Sequence, residues 1–227
     1  MLRIEAVPET ELARKWVAWL GDIDADLTDI AWVRLVWRAE EAMLREHDDL
    51  PPSDIFHVRA RNYGVAQAVG VRRQIDKRTD IISLRRLLDE LQTHPEEISR
   101  DFYVGRAEWG IQWKAHQEFD DWAGEGGAVL DVGVVAANVS LLEAATDKVR
   151  VYVNKHVAHS DTKKSEWEAP TFAELDEAID ALFELFCRYQ TLFIGVGRVV
   201  MALVPQYDLL APYDRPWRKP RRRSVPT

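Results

Sequence analysis

The chain has 227 residues, of which 47 % are hydrophobic and 30 % are charged, as in an ordinary globular protein. Its formal net charge of −8 argues against a broad nucleic-acid-binding surface but leaves room for a local basic cleft. The single cysteine, Cys187, excludes an internal disulfide framework, and no apolar run is long enough to predict a membrane helix. We therefore expect a cytoplasmic protein without membrane association.

The first forty residues show helical periodicity. Leu12, Trp16 and Ile23 share one helical face, and we expect them to form a first helix. Apolar positions resume at Ile30 and predict a second helix that runs to about Leu44. Two adjacent prolines within residues 48–54 then predict a break.

The next helices are predicted less uniformly. Residues 55–71 are expected to be helical, and a basic turn follows before a short amphipathic helix. The leucines on one side of that helix are Leu84, Leu87, Leu88 and Leu91. The strip of cations in this region consists of Arg72, Arg73, Lys77, Arg78, Arg85 and Arg86. Such a strip either supplies charge to a site or forms a solvated helix edge.

The second half of the chain predicts two long helices. Three glycines in residues 120–131 indicate a loop, and apolar spacing from about Val132 to Val153 predicts a long helix. Thr171 and Glu174, three residues apart, are typical of a capping box and predict the start of the last long helix. No segment alternates with period two, so the predicted fold class is all-α.

The chain ends in a basic, proline-rich stretch. Residues 1–208 are expected to form a single α-helical domain, and residues 209–227 a disordered tail. The tail carries six basic residues after Tyr213. It is either a solvated tail or an arm that binds anionic RNA, DNA or a partner.

The segment "VRVYVNKHVAHSD" (149–161) becomes polar within one turn. His156 and His159 are three residues apart, and Arg150 and Asn154 are four apart, so each pair lies together on a helix. Imidazoles near their working pKa, a guanidinium and an amide suit general acid–base chemistry on a phosphodiester. Asp161 could orient an imidazole.

Two other interpretations of the same segment stay open. A His-x-x-His pair can ligate a metal, but no further ligand at suitable spacing completes a site, so no metal and no cofactor is predicted. The polar residues could instead simply cap the end of the helix, because cations suit a helix C-terminus and Asn tolerates the turn.

Three short blocks of this sequence resemble the abortive-infection U-type (Abi-like) family of the HEPN superfamily. They are "NK..AH" at Asn154–His159, "PTFAEL" at Pro170–Leu175 with "F..Y" at Phe186–Tyr189, and "RQIDK…SLRRLL" at Arg73–Leu88. The resemblance covers most of residues 10–200. It implies an α-helical HEPN-type bundle that dimerises and brings two motif copies into one cleft.

The resemblance also implies a function and a set of site residues. HEPN motifs pair an Arg, usually followed by a polar residue, with a His, and four to six residues separate the two. His159 takes the place of the motif histidine and Asn154 that of the polar residue, but Val153 stands where the arginine is expected. Arg150 and His156 are the further candidates for holding the phosphate.

We therefore expect a bacterial defence or toxin–antitoxin protein that acts on RNA, either as a metal-independent endoribonuclease or as a weakened relative of one. The alternative is a non-catalytic HEPN interaction or antitoxin module. The expected partners are a second copy of the chain, an RNA substrate and a cognate antitoxin or defence protein.

Overall fold

The computed structural model describes residues 10–47, 53–106, 111–157, 168–195, 201 and 203–214. Its α-helices are α1 (Glu11–Arg45), α2 (Asp54–Gln74), α3 (Leu84–Thr93), α4 (Arg100–Val104), α5 (Gln112–Ala123), α6 (Val132–Tyr152) and α7 (Phe172–Ile194). The described ranges contain no β-strand, which confirms the all-α fold class. Within them, no helix has both the length and the apolar character to cross a membrane.

Helix α1 is one continuous helix, so the prediction of two helices before residue 45 was wrong. It begins at the N-cap Thr10, whose hydroxyl accepts from the Ala13 amide at 3.1 Å. Leu27, which is fully buried, links the apolar positions of the two predicted helices into one stripe. Because that stripe packs against the rest of the bundle along its length, no break is needed.

Helices α2 and α3 lie where the sequence pattern predicts them, but α2 ends later than predicted. The helix predicted over 55–71 extends to Gln74, so Arg72 and Arg73 belong to its last turn and not to the basic turn. The four leucines of α3 are completely buried, as their spacing predicts.

The region before α6 contains elements that no prediction covered. Helices α4 and α5 pack against each other. They join the core through the buried side chains of Tyr103 and Phe119, whose rings lie 5.4 Å apart. The predicted loop over 120–131 begins only at Gly124, because α5 continues to Ala123. Gly124 has a φ of 75°, a value that favours glycine and ends the helix.

Helices α6 and α7 begin where local signals placed them. Asp131 caps α6, and Thr171 caps α7 in a complete capping box with Glu174. Lys148 of α6 also donates to Glu174 at 2.6 Å, which fixes the start of α7 against the end of α6. These contacts hold the last turns of α6 beside the rest of the bundle.

A buried polar network connects the second half of the bundle. Asn138 of α6 donates to the Tyr189 hydroxyl at 3.1 Å and accepts from Arg188 at 3.2 Å, both on α7. Arg188 also lies 4.4 Å over the ring of Trp122 on α5. Burial raises the pKa of Tyr189 to about 12, so its hydroxyl stays neutral and serves the packing of three helices.

Candidate functional site

A cleft of about 560 Å³ opens between the end of α2, the loop after it and the last turns of α6. Its polar lining consists of Arg72, Asp76, Lys77, Arg78, Glu143, Thr146, Asp147, Arg150 and Asn154. The cleft therefore combines part of the basic strip with two of the four predicted site residues.

Arg72 and Asn154 are in direct contact across this cleft. Arg72 Nε, on the last turn of α2, donates to Asn154 Oδ1 at 3.1 Å. The side chain of Asn154 therefore points toward α2, and no backbone contact in the described ranges shows it capping α6. The contact brings a guanidinium next to the polar residue of the motif.

Arg150 lines the same cleft but is already paired. Its Nη2 lies 2.5 Å from Asp147 Oδ1, one turn earlier on α6. Both side chains are about half exposed, at 48 % and 60 %, so this pair is a weak surface interaction that a ligand can replace.

Helix α6 passes into a π-helical turn at Val153–Val157. π-Helical segments occur mostly as single turns within α-helices, and they are frequent at functional sites. Val153 is 6 % exposed and belongs to the hydrophobic core. The side chain at the position of the motif arginine therefore packs in the core, and this packing explains why the position holds a valine.

His156 lies in the π-helical turn, outside the residues that line the cleft. Its ring stacks on Tyr152 with centroids 5.7 Å apart and planes at 29°. Its Nε2 atom is buried without a hydrogen-bond partner in the described part of the chain. The imidazole is therefore held by stacking, beside the cleft but not in it.

His159 and Asp161 lie outside the described residues, which stop at Val157 and resume at residue 168. The predicted acid–base group therefore has no described geometry. Among the residues that are described, no group of three His, Cys, Asp or Glu side chains could hold a metal ion.

The basic strip divides into cleft residues and structural residues. Arg72, Lys77 and Arg78 line the cleft. Arg85, only 9 % exposed, pairs with Asp89 and Glu143.

Arg73 and Arg86 also face away from the cleft. Arg86 lies 4.5 Å over the Trp19 ring and pairs with Glu90, while Arg73 pairs with Asp26 of α1. Arg73, whose side chain is 65 % exposed, fits the predicted solvated helix edge. Arg85 and Arg86 are mostly buried in ion pairs, so they fit neither the solvated edge nor a role in the cleft.

Carboxylates neutralise the four cations of the cleft. Arg72 lies 3.0 Å from Asp76, Lys77 lies 2.5 Å from Glu143, and Arg78 lies 3.1 Å from Asp80. The fourth cation, Arg150, pairs with Asp147 as described above. Sequence reasoning missed these acids, although the four-residue spacing of Arg72 and Asp76 and the three-residue spacing of Asp147 and Arg150 indicate such pairs.

Glu143 is engaged by two cations of the basic strip, Lys77 and Arg85. The hydrogen bond from Lys77, helped by the charge of Arg85, holds the pKa of Glu143 below its usual range. Glu143 therefore stays ionised, and an anionic ligand must compete with it for Lys77.

Comparison with known proteins adds one match. The family model HEPN_AbiU2, described as AbiU2, matches residues 15–211, which is most of the chain and includes the cleft and the motif segment. Neither a search of curated proteins nor a search of solved structures finds a match. The predicted resemblance is confirmed: the chain belongs to the AbiU2 family of abortive-infection HEPN proteins.

Proposed function

We propose that this protein binds RNA in its cleft, as a bacterial defence or toxin-type HEPN protein, and cleaves it without a metal ion. The observation that carries this proposal is the contact between Arg72 and Asn154. It supplies a guanidinium beside the polar motif residue, although Val153 occupies the place of the motif arginine.

The chemistry follows from the residue types. A guanidinium donates to two phosphate oxygens at once, and an amide adds a further donor. Arg72 and Asn154 would hold the scissile phosphate, and Arg150 would join them when the phosphate replaces Asp147 as its partner. This arrangement stabilises the charge that develops on the phosphate oxygens.

The proton transfers are assigned to His159 through the family resemblance. His159 would accept the proton of the 2′-hydroxyl, whose oxygen attacks the neighbouring phosphorus. The bond from phosphorus to the 5′-oxygen breaks, the leaving oxygen takes up a proton, and a cyclic 2′,3′-phosphate remains. A second copy of the chain, in the proposed homodimer, would bring its own cleft beside the first.

A cleavage assay tests the proposal. Purified protein is incubated with single-stranded RNA in EDTA, and the products are examined for cyclic-phosphate ends. We expect cleavage that His159→Ala abolishes and that His57→Ala, an exposed histidine of α2, leaves unchanged. Cleavage that stops in EDTA would instead favour a metal-dependent hydrolase in which His156 and His159 bind the metal ion.

The second candidate is a non-catalytic HEPN module that binds RNA or a cognate defence partner. It is favoured by the cleft's charge balance, since all four cations are paired with acids. In this case RNA is retained in a filter-binding assay but stays intact, and His159→Ala changes neither result.

A further inference from the structure

Helices α1 and α2 form a second surface, on residues that the proposed function does not use. An aromatic groove of about 390 Å³ is lined by Trp32, Val33, Val36, Trp37 and Tyr63. The rings of Trp37 and Tyr63 stack 4.8 Å apart with planes at 13°. Val33 and Val36 are 43 % and 39 % exposed, which leaves apolar area uncovered among the described residues.

An acidic pocket of about 160 Å³ adjoins this groove, and Val33 lines both. Asp26 in the pocket is engaged by Arg73 and Gln74. Asp29 is exposed and pairs with no described residue. Gln67 is 1 % exposed, and its Oε1 has no hydrogen-bond donor in the described ranges. The pocket therefore offers the exposed carboxylate of Asp29 to a cationic donor, beside a buried acceptor in its wall.

The described end of the chain meets the far end of the aromatic groove. Tyr213, in a short 3₁₀ helix (Ala211–Asp214), donates to Glu40 and accepts from Arg59 at 3.0 Å. Glu40 and Arg59 both line the groove. The described part of the chain therefore ends at Asp214, beside the groove, and residues 215–227 follow in the sequence.

The composition of that segment fits the two sites. It reads "RPWRKPRRRSVPT", with three prolines, one tryptophan and six basic residues. Proline-rich segments preform a polyproline II helix and dock on aromatic-lined grooves. An arginine can donate two N–H groups to the exposed Asp29 carboxylate, because its guanidinium is a planar fork.

The distances are also compatible. Glu40 and Asp29 are eleven positions apart on α1, which is about 16 Å at 1.5 Å per residue. Arg221 follows Asp214 by seven residues, which span about 22 Å in a polyproline II helix at 3.1 Å per residue. The tail can therefore lay Trp217 in the groove and an arginine in the acidic pocket.

We propose that the basic tail, residues 215–227, docks on its own chain along the aromatic groove and the acidic pocket of α1 and α2. The groove is then an intramolecular docking site. Six cations of the tail are held away from the cleft while the tail is docked.

Limited trypsin digestion of the full chain, without RNA, tests this docking. Trypsin cuts the tail after Arg218, Arg221, Arg222 and Arg223, since proline follows the other two basic residues, and mass spectrometry follows the released peptides. We expect tail cleavage to become about fivefold faster or more in the groove variant V33Q/V36Q and in the pocket variant D29N, because each removes docking contacts.

Matched controls separate docking from general destabilisation. V132Q/L141Q changes two exposed apolar residues of α6, and D22N removes an exposed acid from α1 outside the pocket. Both should cleave at the wild-type rate. D29N replaces one exposed carboxylate by an amide of the same size, so we expect the helix to fold as in wild type. This variant therefore still tests the docking if V33Q/V36Q does not fold.

Three results would overturn the proposal. The first is a tail that is cut equally fast in wild type and in both test variants. The second is protection that disappears on dilution, which means docking on another copy. The third is a wild-type dimer that V33Q/V36Q dissociates in sedimentation without any change in tail cleavage, which assigns the groove to a subunit interface.

Discussion

Asn154 receives its hydrogen bond from Arg72, and this pair sets the first expectation at the scale of single residues. Arg72→Ala should weaken binding of single-stranded RNA about tenfold, because a charged hydrogen bond to phosphate is lost. Arg72→Lys should recover only part of the affinity, since an ammonium is a point charge and cannot bind two oxygens in a fixed fork.

Fluorescence anisotropy with labelled RNA measures both variants, and Arg45→Ala provides the control. Arg45 is an exposed arginine near the end of α1 that pairs only with Glu41 among the described residues. Equal affinities for wild type and Arg72→Ala would remove Arg72 from the proposed site.

Asp147 pairs with Arg150 in the free protein. A variant of Asp147 should therefore bind RNA more tightly, whereas Arg72→Ala should bind it more weakly. Asp147→Asn should tighten RNA binding two- to threefold at low salt, because it frees Arg150 and removes a repulsive charge. The gain should shrink as salt is raised. Glu41→Gln changes the net charge equally, far from the cleft, and should have no such effect.

The outcome at these residues shows what spacing alone can predict. The proximity of Arg150 and Asn154 follows from their four-residue separation on one helix, and both line the cleft. The contact between Arg72 and Asn154 joins residues 82 positions apart. It depends on how α2 packs against α6, and no local pattern contains that information.

At the scale of elements, the junction between α6 and α7 gives a pH-dependent prediction. The hydrogen bond from Lys148, followed by those from the amide and hydroxyl of Thr171, lowers the pKa of Glu174 from 4.5 to about 2. A carboxyl whose pKa is lower in the folded protein stabilises it above the unfolded pKa, and this stabilisation is lost as pH falls.

Glu174→Gln should therefore lower stability at neutral pH, and its difference from wild type should shrink between about pH 4.5 and pH 2. Urea unfolding across this range measures the difference. Ser140→Ala, an exposed residue of α6 whose hydroxyl bonds back to Ala136, should show no comparable trend. A difference that stays constant with pH would contradict the role of the ion pair.

The helix boundaries show why some elements were predictable and others were not. The capping box at Thr171 and the start of α6 near Val132 depend on neighbouring residues, so the sequence pattern placed both. The continuity of α1 depends on Leu27 meeting the rest of the core, which is a property of the packed bundle. The pattern therefore suggested a break that does not exist.

At the scale of the whole molecule, the net charge of −8 limits how RNA can bind. Most of the surface repels phosphates, so binding depends on the four cations of the cleft. For single-stranded nucleic acid, the logarithm of the affinity falls with the logarithm of salt by about 0.7 for each phosphate neutralised. Four contacts give a slope of about −3, while ten contacts, with the six tail cations included, give about −7.

We expect the full chain to show a slope near −3, because the tail is docked on α1 and α2 and the cleft alone meets the RNA. Titrations at a series of salt concentrations give this slope directly. Arg72→Ala should reduce its magnitude by about 0.7, the amount for one phosphate contact. D29N, which releases the tail, should make the slope steeper, toward −7. A slope near zero would show that charged contacts in the cleft do not hold RNA, and a wild-type slope near −7 would show that the tail leaves its groove when RNA binds.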